Sequence, residues 1–218
     1  LDLWNDENSK LSVDYNGNMS LAGAYNFNQT TNTPSAQFAS SQNTLPAGST
    51  GTYATLANLP QTLWIQQSVH YNGYLYVTGG QTAAGSGIVS TVYSAKVNAD
   101  GTIGGWISLN TLPAVLRGHA LVASSGFLFV VGGTSTGGNV AISTVYSAKV
   151  NADGTIGAWN TLSTLPQTLY ALEAVAYNSY LYVTGGYNGA GLSTVSTVYS
   201  AQINGNGTIG TWNTLNNL

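Results

Sequence analysis

The chain of 218 residues is 43% hydrophobic and 11% aromatic, yet only 5% of its residues are charged, far below the roughly 25% of ordinary globular proteins. Four Lys and Arg against seven Asp and Glu give a net charge of −3; Lys10, Lys96, Arg117 and Lys149 cannot build the basic patch that grips a phosphate backbone, which excludes nucleic acid as a partner. The absence of cysteine rules out a disulfide framework, a thiolate metal site and a cysteine nucleophile, and no apolar run reaches the roughly 18 to 20 residues of a membrane-spanning helix.

In chain order, Lys10 to Tyr15, Asn16-Gly17 and Asn18 to Ala22 read as a hairpin closed by an Asn-Gly turn. Thr30 to Thr50, dense in Ser, Thr, Asn and Gln, reads as a linker. From residue 51 onward the chain repeats itself. Ser90 to Gly104 and Ser143 to Gly157 both read STVYSAKVNADGTIG, and Ser196 to Gly210 reads STVYSAQINGNGTIG, so the copies are spaced 53 residues apart. The same spacing relates Gly79-Gly80, Gly132-Gly133 and Gly185-Gly186; Trp106, Trp159 and Trp212; and Pro60, Pro113 and Pro166. A fixed period near 50 signals stacked copies of one supersecondary unit, none able to bury its own faces alone. The units run from 61 to 112, 114 to 165 and 167 to 218. Ahead of them 51 to 58 reads as a lone strand, because Gly51 and Tyr53 fill the slots of Gly104 and Trp106.

Within the last unit, Tyr170 to Tyr177, Tyr180 to Thr184, Val195 to Ile203 and Gly210 to Leu215 are short apolar or β-branched runs. Each is bounded by turn residues such as Asn178-Ser179, Gly185-Gly186 and Asn204-Gly205-Asn206-Gly207. No window sustains a 3.6-residue period, so the reading is all-β, with four antiparallel strands per unit.

A hydrophobic strand ending in two glycines (Leu75-Tyr76-Val77-Thr78-Gly79-Gly80), then Tyr93, Tyr146 or Tyr199, then Trp106, Trp159 or Trp212, repeated in order, resembles the kelch repeat, the four-stranded blade of a β-propeller. The resemblance implies three blades in an open arc, a segment of a larger propeller whose remaining blades belong to the same parent chain. Residues 1 to 30 are similar to β-stalk segments of bacterial surface and tail-fibre-like proteins. In a blade the glycines serve a sharp turn or a close backbone approach, and the periodic Tyr and Trp fill the wedge between blades.

The hairpin Asn98-Ala99-Asp100-Gly101-Thr102, repeated at Asn151 to Thr155, alternates oxygen-bearing side chains as a calcium loop does. It is also placed where sialidase blades carry their Asp-box. One carboxylate per copy, replaced by Asn206 in the third, falls short of the six to eight oxygens calcium takes. An Asp-Gly turn is the expected structure, with no metal and no cofactor.

Differences among the three copies locate a candidate site. Trp64, Arg117 and Tyr170 are equivalents, as are Gln66, His119 and Leu172, and Gln67, Ala120 and Glu173. The loops Gln81 to Val89, Thr134 to Ile142 and Tyr187 to Val195 differ as well. The kelch resemblance places these positions around the central channel and its mouth. A constant framework with a varied rim is the pattern of a scaffold carrying a binding surface, here Trp64, Gln66, Arg117, His119, Tyr170, Glu173 and Tyr187. His70 and His119 occupy non-equivalent positions and are expected at the surface or rim rather than as catalytic bases. One Arg cannot supply the arginine cluster of sialidases, and the lack of cysteine excludes the Cys-linked Tyr of copper-dependent kelch oxidases. No catalytic residue is assigned. The expected function is non-catalytic binding of a protein or glycan, extracellular or at the cell surface, the alternative being a piece of a propeller enzyme or carbohydrate-active protein with its catalytic residues elsewhere.

Overall fold

A computed structural model describes residues 3–6, 9–13, 19–22, 55–82, 87–137, 140–189 and 193–215. The chain divides into two compact units, Leu1–Tyr53 and Ala54–Leu218. In the first, β1 (Leu3–Asp6), β2 (Ser9–Val13) and β3 (Met19–Ala22) form an antiparallel sheet in that order. Lys10 lies opposite Ala22 and Val13 opposite Met19. The Asn-Gly turn, the 30 to 50 linker and residues 51–54 of the lone strand lie outside the described residues, and 55–59 carry no strand pairing among them.

The second unit is built from three four-stranded antiparallel sheets, and its described residues contain no helix. The first blade comprises β4 (Gln67–Tyr71), β5 (Tyr74–Thr78), β6 (Val92–Lys96) and β7 (Ile107–Ser108). The second comprises β8 (Ala120–Ser124), β9 (Phe127–Val131), β10 (Val145–Val150) and β11 (Ile156–Thr161). After β12 (Glu173–Tyr177) and β13 (Tyr180–Thr184), a small ribbon of β14 (Tyr187–Asn188) and β15 (Ser193–Thr194) precedes β16 (Val198–Gln202) and β17 (Asn213–Thr214), which complete the third. Strand β8 packs against both β4 and β12, so the first strand of each blade forms the shared inner edge.

Period-two alternation explains how one sheet serves two interfaces. Leu121, Leu128, Val130, Tyr146 and Ala148 of the second blade pack with Tyr76 and Val92 of the first and with the linking residues Leu112 and Leu116. The intervening positions, Ala120, Val122, Phe129, Val131 and Val145, pack instead with Leu169, Leu181, Val183 and Tyr199 on the side of the third blade. Covered on both faces, β9 is buried along all five residues. Among the described residues the third blade has one covered face: Val122 is 6% exposed, while its equivalent Val175 is 61% exposed and the neighbouring Tyr177 is 75% exposed.

Contacts between blades recur. Tyr71 Oη accepts the Gly126 N–H at 2.9 Å, and a Cβ on Gly154 would overlap the Tyr74 ring, as one on Gly207 would overlap Phe127. The double glycines form a joint. Gly80 and Gly133 donate their N–H groups to the carbonyls of Leu116 and Leu169 in the segment leading into the next blade, at 2.7 and 2.8 Å. The first glycine of each pair holds a positive φ, 57° at Gly79 and 63° at Gly132, and brings the backbone so close to those carbonyls that a side chain has no room.

Tyr93, Tyr146 and Tyr199 are buried as the wedge requires. The tryptophans lie at the outer end of that wedge, where Trp159 and Trp212 pack, partly buried, against the apolar clusters between the blades. Trp106, Trp159 and Trp212 are half-buried at the outer edge, where each indole Nε1–H donates to a carbonyl 49 residues earlier, of Ala57, Asn110 or Ser163, at 3.1, 3.1 and 3.3 Å. An amphipathic ring beside short outer strands covers apolar surface with its body and spends its donor on the neighbouring backbone. The Asn-Ala-Asp-Gly hairpins are turns. Asp100 Oδ1 accepts from the Thr102 N–H and Oγ1 at 3.0 and 2.7 Å, which holds its carboxyl below the usual range, and Asn206 accepts from Thr208 in the same way.

Candidate functional site

The varied positions converge on one local arrangement, repeated in each blade just before the inner strand. Residue pairs Trp64–Gln81, Arg117–Thr134 and Tyr170–Tyr187 form isolated antiparallel bridges, each closed by two reciprocal N–H to carbonyl hydrogen bonds of 2.8 to 3.1 Å. Each pair therefore sets its two side chains next to each other. The following residue in every blade is left-handed: φ is 54° at Ile65, 55° at Gly118 and 52° at Ala171. Gly118 donates its N–H to the Ile65 carbonyl at 3.2 Å, and Ala171 donates to that of Gly118 at 2.8 Å. This belt of backbone bonds crosses from blade to blade and brings the three pairs into a row. A β-branched residue such as Ile65 rarely takes a positive φ, and strain of this kind collects at functional sites.

Along the row, the Arg117 guanidinium lies over the Trp64 ring, 6.0 Å from its centroid, a cation–π geometry. It donates to the Gln81 side-chain amide oxygen and, at 3.3 Å, to the Gly137 carbonyl. Tyr170 lies over Gly118, where a Cβ would overlap the ring, and its own ring is 6.5 Å from that of Tyr187. Trp64 is 50% and Tyr187 36% exposed, whereas Arg117 is buried. The row thus presents two aromatic faces to solvent and immobilises a cation beside the first.

Four of the candidates, Trp64, Arg117, Tyr170 and Tyr187, come together in this way. The others do not. Gln66 is half-buried behind Gly80, whose Cβ would meet it at 2.9 Å. His119 is fully buried, which corrects the expectation of a surface or rim position. Its Nε2 shares a 2.8 Å hydrogen bond with Thr78 Oγ1, its Nδ1 has no partner among the described residues, and burial pulls its pKa down to about 4, so it is neutral. Glu173 is exposed at the start of β12, in the slot of Ala120, on the face that in the preceding blade packs against its successor. Gln81 and Thr134 complete the pairs but were not singled out by sequence reasoning. Their signal was available, since each directly follows a double glycine, as Tyr187 does. Among the described residues no group of three His, Asp or Glu could hold a metal ion.

No family model matches the chain. A kelch domain-containing protein of Saccharolobus solfataricus is 35% identical over 98 residues, which cover 45% of this chain and 11% of that protein. The solved structure of YjhT, a kelch-type β-propeller, is similar with a TM-score of 0.58 at 15% sequence identity, over 76% of this chain and 48% of YjhT. The chain therefore spans about half the length of the solved propeller and a small part of the Saccharolobus solfataricus protein. Sequence repeat and fold agree: the three sheets are kelch-type β-propeller blades.

Proposed function

We propose that the chain is a non-catalytic binding module that presents the row from Trp64 through Arg117 and Tyr170 to Tyr187 to a protein ligand, outside the cell or at its surface. One observation carries the reading. The three bridge pairs occupy the same backbone geometry, closed by the same hydrogen bonds, while their side chains share nothing, in a chain that otherwise repeats whole fifteen-residue stretches unchanged. Exposed Trp and Tyr beside a held Arg are the residue types that concentrate binding energy at protein interfaces. A general base must come within hydrogen-bond reach of the proton it takes, and the row contains no carboxylate or accessible imidazole among the described residues. A surface whose polarity comes from Ser, Thr and Asn rather than charge supports the extracellular setting.

The test is selection of ligands from a display library of folded protein domains, in parallel with a glycan array, followed by affinity measurements on a Trp64→Ala, Tyr187→Ala double variant. A selected protein ligand should lose at least about 100-fold in affinity, since two exposed aromatic anchors contribute on the order of 3 kcal/mol. Unchanged affinity moves the site elsewhere on the blades, and capture of glycans alone replaces the protein reading with a lectin.

A further inference from the structure

We propose that the outer groove between the second and third blades binds a primary carboxamide, the side-chain amide of an asparagine carried by a peptide. The groove is separate from the row at Trp64 to Tyr187, and the neighbouring joint of the same chain fills its own copy of it. Leaving the first blade, Asn110 accepts the Trp159 indole N–H on its backbone carbonyl at 3.1 Å; leaving the second, Ser163 accepts that of Trp212 at 3.3 Å. At the first joint the Asn110 side chain also turns into the groove, and its Nδ2 donates to the carbonyls of Ile156 and Gly157 at 3.2 and 3.3 Å. One NH2 group thus serves two adjacent carbonyls with its two hydrogens.

The second joint lacks that group. Ser163 stands in the slot of Asn110, and its hydroxyl makes no hydrogen bond among the described residues. The carbonyls of Ile209 and Gly210, the equivalents of Ile156 and Gly157, accept none there either. A cavity of about 530 Å³ borders both residues and runs between Trp212 and Pro166, with Ser163, Thr164 and Thr211 on its walls. Of its lining positions only two differ from the first joint: Ser163 replaces Asn110, which empties the groove, and Thr211 replaces Ala158, which adds a hydroxyl. Ahead of the first blade the slot holds Ala57, and the cavity beside it, lined from Asn58 to Leu63, does not reach Ile103 or Gly104.

The groove belongs to the two blades it separates. Trp212 packs against the cluster between them, and the chain leaves at the opposite end of β16, where Leu215 bonds Val198 while Gly210 bonds Gln202. Two acceptors within reach of one nitrogen select a group with two N–H donors, and a carboxylate has none. The hydroxyls of Ser163, Thr164 and Thr211 can donate to the oxygen of the same amide, and Pro166 and the Trp212 ring flank its aliphatic stem. No Lys, Arg, Asp or Glu lines the cavity, so it is matched to a neutral group.

Nuclear magnetic resonance can follow the Trp212 indole N–H and the Thr211 amide during titration with acetyl-asparagine N-methylamide, in which the side chain is the only primary amide. Both signals should shift and saturate. Acetyl-aspartate N-methylamide should bind at least about tenfold more weakly, the loss of two hydrogen bonds. Ser163→Asn fills the groove with the residue the first joint already holds, so it should fold as the parent does and lose the response. An Asn110→Ser, Ala158→Thr double variant gives the first groove the same lining as the second, and its Trp159 indole should then respond to the same compound. No saturable shift in the parent protein, equal binding of the aspartate compound, a response that survives Ser163→Asn, or a silent Trp159 in the double variant would each overturn the proposal.

Discussion

Alanine at Gly132 and alanine at Gly185 face the same backbone demand in two different surroundings. Both glycines open the double-glycine joint with nearly equal φ, 63° and 58°, so a Cβ in the left-handed region costs each about 1 to 2 kcal/mol. At Gly132 that Cβ would also lie 2.7 Å from the Leu169 carbonyl oxygen and 3.0 Å from Leu172 Cδ2. Relieving the overlap parts the second and third blades at their closest point. Overpacking of this kind adds roughly 1 to 3 kcal/mol, and weakening the 2.8 Å bond from Gly133 N–H to the Leu169 carbonyl adds about 1 kcal/mol. At Gly185 the nearest atom is 3.7 Å away, an ordinary contact, so only the backbone cost remains. Gly132→Ala should therefore destabilise by about 3 to 6 kcal/mol and Gly185→Ala by about 1 to 2. Urea unfolding followed by circular dichroism reads the difference as a shift in midpoint at constant slope. Equal losses at the two positions would show that the double glycine serves the turn alone and that the blades are not held together there.

Three further outcomes are expected. Trp159→Phe should cost about 1 kcal/mol, the value of the lost indole N–H bond, and Trp159→Ala about 2 to 3, less than for a buried Trp; a melting shift typical of full burial would place the ring deep inside the wedge rather than at its outer end. His119 should stay neutral in nuclear magnetic resonance titrations down to about pH 4; its folded pKa lies below the unfolded value near 6.5, so stability is full above that value and falls as pH drops toward 4, by roughly 3 kcal/mol overall. His119→Gln should flatten that window, and titration near pH 6.5 would contradict the burial. Asp153→Asn should leave the melting temperature unchanged, with or without millimolar calcium, because Asn206 already makes the same turn bonds; a calcium-dependent shift in the parent protein would reverse the turn assignment.

The repeat period made the blades legible because a residue's role in a stacked array depends on its slot, and Gly132, Tyr146 and their copies keep theirs. Depth below the surface was less legible. The period places Tyr146 and Trp159 at fixed intervals after the glycines but does not say that Trp159 stands on the outermost strand, two residues from its end, which is why the tryptophans emerge at the outer end of the wedge rather than deep within it. His119 differs from Gln66 and Leu172 as a rim residue would, yet it lies at the end of the joint between Thr78 and Gly79, where a neighbouring blade supplies the cover. Such burial arises between units and has no signature within one. The same holds for Arg117, whose partner Gln81 belongs to the preceding blade.

The belt from Ile65 through Gly118 to Ala171 separates what the blades display from what fixes their mutual angle. Its bonds are made by main-chain atoms, one residue beyond Trp64 and Tyr170 in the chain, so exchanging the side chains at 64, 170 and 187 leaves the hinge lines between blades where they are. Three positions that reach solvent on a stiff mount, with the buried Gln81, Arg117 and Thr134 behind them, make a surface that can be randomised as a set, and new specificities can be sought there without re-engineering the scaffold beneath.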